Sequence, residues 1–75
     1  MGDSAASNPK LKDRLEHLIA DMLDKGILFN EAAVQFEKQF IQKALRLNDG
    51  NITRTSQMIG MHRNTLSKKI ETYKI

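Results

Sequence analysis

Between Arg63 and Lys69 every residue except Leu66 carries a side chain that can donate hydrogen bonds: Arg63, Asn64, Thr65, Ser67, Lys68 and Lys69. That set suits recognition rather than bond-making. An arginine fork can hold both acceptors of a guanine edge, and amide and hydroxyl groups pair with other base edges. Lysines neutralise phosphates and give affinity without sequence information, and Arg54 is best read the same way. Catalytic readings find little support. Asp13, Glu16, Asp21 and Asp24 line up poorly for general acid–base work and have no pocket to raise a pKa. Nothing ties Ser56, His62 and an acid into a triad. With no cysteine, the two histidines His17 and His62 are too few and too scattered for a zinc cage. The expectation is a non-enzyme with no catalytic residue, no metal and no cofactor.

Charge is distributed unevenly. Residues 1–50 carry seven Lys/Arg against eight Asp/Glu, whereas residues 51–75 carry five Lys/Arg against one acid, Glu71. The net charge of +3 thus comes from a basic last third, +4, on a body of −1. A basic third suggests a polyanionic partner for that third.

These side chains need a scaffold. The chain has 75 residues and no cysteine, so it holds one small domain without a disulfide. Cores of this size rarely supply more than about 3–5 kcal/mol alone, which makes a second copy of the chain the expected staple. No apolar run approaches the ~18 residues of a membrane span. Met1–Ser7 is small and polar, unlike a signal peptide, and reads as a flexible tail or tag remnant.

Apolar residues recur at helical spacing almost throughout. A first helix is expected from about Pro9 to Lys25, capped by Asn8, with proline in the first turn. Leu11, Leu15, Leu18, Ile19, Met22 and Leu23 form one stripe. Gly26 stands where a left-handed C-terminal cap is needed. Ile27, Leu28 and Phe29 make an apolar linker that should pack under a neighbouring helix or against a partner chain. A second helix, about Glu31 to Leu47 and capped by Asn30, has a wide apolar set: Ala33, Val34, Phe36, Phe40, Ile41, Ala44, Leu45 and Leu47. Two flanks imply two packing partners, the C-terminal unit and the first helix or its dimer mate. The expected dimer interface comprises the first helix's stripe together with Phe36 and Phe40.

Two short helices follow, about Ile52–Ile59 capped by Asn51 and about Arg63–Tyr73, joined by Gly60-Met61-His62. They form a helix-turn-helix candidate. Gly60 supplies the positive φ of the turn. Ser56, one turn earlier, permits a close crossing, and Leu66 anchors the second helix. Leu66, Ile70 and Tyr73 share one face, Asn64 and Lys68 lie almost opposite, and Thr65 and Lys69 occupy one flank.

The elements Gly50-Asn51-x-Thr53-Arg54, Met58-Ile59-Gly60 and Arg63-x-Thr65-Leu66-x-Lys68-Lys69-Ile70, ending on Tyr73, resemble the DNA-binding region of the Fis family. The same region closes the nitrogen-regulator-type (sigma-54) enhancer-binding activators. Upstream, Phe36-Glu37-Lys38 and Phe40-Ile41 resemble it more loosely. The resemblance implies an all-α fold of four helices, with residues 9–47 of two chains intertwined in a four-helix dimerisation bundle. Residues 51–75 would be the helix-turn-helix, following a tail of residues 1–8. It implies homodimeric binding of double-stranded DNA, recognition helices in successive major grooves, and bending. Arg63 would then read a base. Thr65, Lys68 and Lys69 would hold backbone or base, Asn51, Thr53 and Arg54 would clamp phosphates, and His62, Asn64 and Ser67 would complete the contact surface. Fis itself is basic at the position of Ser67 and has Asn at that of His62. The family usually has alanines where Thr55 and Ser56 stand, and these hydroxyls can bond back to helix carbonyls at small cost.

A bacterial, cytoplasmic, nucleoid-associated regulator is therefore expected, with RNA polymerase or the rest of a larger activator as a further partner. The alternative is a protein–protein dimerisation module whose basic end binds an acidic partner.

Overall fold

The structure, a computed structural model, describes residues 8–75. The expected tail at Met1–Ser7 lies outside the described residues. Four helices follow in order: α1 (Pro9–Asp24), α2 (Phe29–Leu47), α3 (Ile52–Ile59) and α4 (Arg63–Tyr73), with no strand among the described residues. The architecture is all-α. By internal contacts the chain divides into two units at Ala32–Ala33, inside α2.

In the first unit, Asn8 caps α1 through its side-chain oxygen, which accepts from the Leu11 N–H at 3.1 Å, and Pro9 follows at the first helical position. The helix closes at Lys25 and Gly26. Gly26, at φ +74°, donates to the Leu23 carbonyl, and Ile27 donates to that of Met22. This pair of bonds is the Schellman arrangement that glycine after a helix favours. No residue of α1 is buried. Its stripe residues Leu11, Leu15, Leu18, Ile19 and Leu23 are 42–71% exposed.

The start of α2 differs from the sequence expectation. Asn30 lies inside the helix, which begins two residues earlier than expected, at Phe29. The Glu31 carboxylate reaches back and accepts from the Leu28 N–H at 3.1 Å. This is the reverse half of a capping box, a backbone donor satisfied by a glutamate three residues on. Leu28 and Phe29, expected to be covered, are 68% and 85% exposed.

In the second unit the buried residues are Ile41 and Ala44 from α2, Thr55 and Ser56 from α3, and Leu66 from α4. Thus one flank of α2 is interior, while Phe36 and Phe40, with ring centroids 5.4 Å apart, remain exposed. A second Schellman arrangement closes α2, with Gly50 donating to Leu45 and Asp49 to Arg46. Here the left-handed position is Asp49, at φ +52°.

Candidate nucleic-acid interface

Asn51 starts α3 by accepting from the Arg54 N–H at 2.9 Å. One helical turn on, the two hydroxyls at the crossing turn back onto the chain. Thr55 donates to the Asn51 carbonyl at 2.7 Å and Ser56 to the Thr53 carbonyl at 2.8 Å. Both side chains therefore fit a buried crossing with their polar atoms satisfied, as expected from the sequence. Gly60 then turns the chain at φ +70°, with the Met61 N–H donating to the Ser56 carbonyl. The result is α3 packed against α4 across a three-residue turn.

His62 is the N-cap of α4, its Nδ1 accepting from the Asn64 N–H at 3.0 Å. That bond requires Nδ1 to be unprotonated, so the ring proton sits on Nε2, which remains a donor. Sequence reasoning placed His62 in the turn but did not anticipate that its ring would cap the helix.

Along α4 the division of faces is clear. Arg63, Asn64, Thr65, Ser67 and Lys68 are exposed, whereas Leu66 is fully buried. Asn51, Thr53 and Arg54 are likewise exposed around the start of α3. Lys69 is set apart from the rest of the sequence-derived group. Its ammonium donates to Glu37 Oε1 on α2 at 2.8 Å, and Tyr73, one turn further along α4, donates its hydroxyl to the same oxygen at 2.6 Å. The two hydrogen bonds hold the Glu37 carboxyl below its ordinary value. By the same bonds to the carboxylate, the Lys69 ammonium and the Tyr73 phenol are both raised.

Glu37 is the residue that sequence reasoning missed as part of this surface. The available signal was the i, i+4 spacing of Lys69 and Tyr73 beside the apolar face of α4. Two donors on a half-buried flank call for an acceptor on the helix opposite.

Among the described residues, no group of three or more His, Cys, Asp or Glu side chains is placed to hold a metal ion. No described helix is long and apolar enough to cross a membrane. The surface on α3 and α4 is a set of exposed hydrogen-bond donors, suited to binding a polyanion.

The sequence model described as "Bacterial regulatory protein, Fis family" matches residues 33–73. Its first residue is the first of the second structural unit, so the match covers α2 from Ala33 onwards together with α3 and α4. No curated protein and no solved structure matches the chain. Over more than half its length, including the α3–turn–α4 motif, the chain belongs to the Fis family of bacterial regulatory proteins and carries that family's DNA-binding helix-turn-helix.

Proposed function

We propose that the chain binds double-stranded DNA as a homodimer and with sequence preference, acting in transcription regulation or nucleoid architecture. The carrying observation is the exposed row Arg63, Asn64, Thr65, Ser67 and Lys68 around the single buried anchor Leu66. In this reading α4 enters the major groove. Arg63, in its first turn, reaches a guanine edge, and Asn64, Thr65, Ser67 and Lys68 meet neighbouring bases or backbone. Asn51, Thr53, Arg54 and the Nε2–H of His62 grip phosphates. Lys69 takes part through its bond to Glu37 rather than as a free cation.

The homodimer rests on α1. A 16-residue helix is marginal in water by itself, and none of its residues is buried. Leu11, Leu15, Leu18, Ile19, Met22 and Leu23 from α1, with Phe36 and Phe40 from α2, form the interface in this reading. Covering the exposed part of each α1 leucine contributes about 1 kcal/mol. Two copies related by a dyad would also present two recognition helices to one duplex.

Duplex binding across a salt titration tests the reading. A protein making six to ten phosphate contacts should lose roughly 10³–10⁵ in affinity between about 50 and 200 mM salt. Absence of duplex binding at low salt, with capture of an acidic protein instead, overturns it.

A further inference from the structure

We propose that Glu37 is a positioning residue for DNA recognition, which sets the angle of α4 against α2 through Lys69 and Tyr73. The inference rests on the DNA-binding reading and adds to it a residue outside the helix-turn-helix itself.

The geometry is that of a lever. Leu66 is the one residue of α4 that is fully buried. Leu66 and the packing against α3 fix where α4 sits, but no residue beyond Leu66 is fully buried, Lys69, Ile70 and Tyr73 being half-buried, so the tilt and rotation of the far arm depend on further contacts. Arg63 lies three residues before this pivot, about 4.5 Å along the axis, while Lys69 and Tyr73 lie three and seven residues beyond it, about 4.5 and 10 Å away. A fixed point on the far arm therefore sets the position of the near arm. Glu37 supplies that point by accepting from both far-arm residues with one oxygen, at 2.8 and 2.6 Å. Both donors are on the same helix and the acceptor is on another, so the contact restrains rotation as well as distance. Recognition by a forked side chain needs its atoms held within about 0.5 Å, a tolerance that a loosely tilted helix exceeds.

The charges are consistent with this role. The Lys69 ammonium is matched by a carboxylate in the free chain, and the partners are only partly exposed, with side chains at 31% and 41%. Lys69 therefore serves the internal contact, while Arg63 and Lys68 remain the exposed cations of α4.

The test compares two duplexes: one enriched by the wild-type chain from a random-sequence pool, and one unselected duplex of equal length. Glu37→Gln removes the charge and weakens both bonds. Tyr73→Phe removes one bond and keeps the carboxylate and the ammonium. Glu37→Gln is expected to lower the ratio of enriched to unselected affinity roughly three- to tenfold, and Tyr73→Phe about twofold. Helix content by circular dichroism should be unchanged, and the salt slope on the unselected duplex should not become shallower. Equal weakening on both duplexes would indicate a purely structural role and overturn the proposal, as would an unchanged ratio in both variants. If Glu37→Gln loses helix content, the ratio for Tyr73→Phe decides alone. A wild-type chain that binds neither duplex refutes the DNA-binding reading instead, and an unchanged ratio on a wild type that does bind refutes only the role of Glu37.

Discussion

The hydroxyl of Tyr73 donates to Glu37 Oε1 at 2.6 Å, joining the last turn of α4 to the middle of α2 across 36 positions of sequence. Lys69 shares the same acceptor oxygen, so one carboxylate holds two residues of α4.

Tyr73 is the only tyrosine and the chain has no tryptophan, so its ionisation can be followed by ultraviolet absorbance without interference. The bond to Glu37 raises the phenol above its ordinary 10.0. The tyrosinate titration should therefore be displaced upward in the wild type and return towards the ordinary value in Glu37→Gln. Coincident curves would show that the contact is not populated in solution.

Stability should depend on pH through the same three groups. The Glu37 carboxyl is lowered from 4.5, so its contribution is present above that value and is lost as pH falls through the folded pKa. Lys69 and Tyr73 are raised from 10.5 and 10.0, so their contributions are present below those values and are lost as pH rises through the folded pKa values. Thermal melts should show a plateau between the two limits, with Glu37→Gln lowering the plateau towards the flanks. A variant profile parallel to wild type across the whole range contradicts the assignment.

Asp49 occupies the left-handed position after α2, at φ +52°, where a side chain is tolerated at a cost and glycine is not penalised. Asp49→Gly should raise the unfolding free energy by up to about 1 kcal/mol. A loss of stability in denaturant titration would mean that the Asp49 side chain does work that its backbone conformation does not reveal.

Asn51 both caps α3 and, in the proposed reading, faces phosphate. Asn51→Ala should cost about 1 kcal/mol of stability through the lost cap. Asn51→Asp keeps a capping oxygen, so it should retain stability and yet weaken duplex binding by repelling phosphate. Binding by Asn51→Asp as tight as by wild type would remove Asn51 from the DNA-facing set.

Much of this was legible in the sequence. Asn51, Gly60 and Arg63 mark the bounds of α3 and α4, because capping and positive-φ requirements act on single residues and leave local signals. Leu66 as anchor and the close crossing at Ser56 follow from the same short-range geometry. The start of α2 did not, because a side-chain cap at Asn30 and a reach-back from Glu31 leave nearly the same local pattern. The spacing of Lys69 and Tyr73 signals that an acceptor is needed but not that Glu37 supplies it. Polar pairs 32 and 36 residues apart follow no period along the chain, and only the folded arrangement of α2 and α4 brings them together. The exposed stripe of α1 was legible as apolar, but periodicity alone does not identify what covers it.

Arg63 and Lys68 should behave differently on DNA. Arg63→Ala should cost about 1–3 kcal/mol and relax preference at one base position, whereas Lys68→Ala should weaken all duplexes alike and reduce the salt slope by about 1. Fluorescence anisotropy with single-base-substituted duplexes measures both. Uniform weakening by Arg63→Ala would make it a phosphate contact.

Selection of bound sequences from a pool of random duplexes tests the central claim most directly, since it reports DNA binding, sequence preference and symmetry together. The account predicts enriched sequences with two half-sites related by a dyad and spaced by about one helical turn, as two copies of α4 require. Enrichment of a single asymmetric half-site, or no enrichment at low salt, would contradict it.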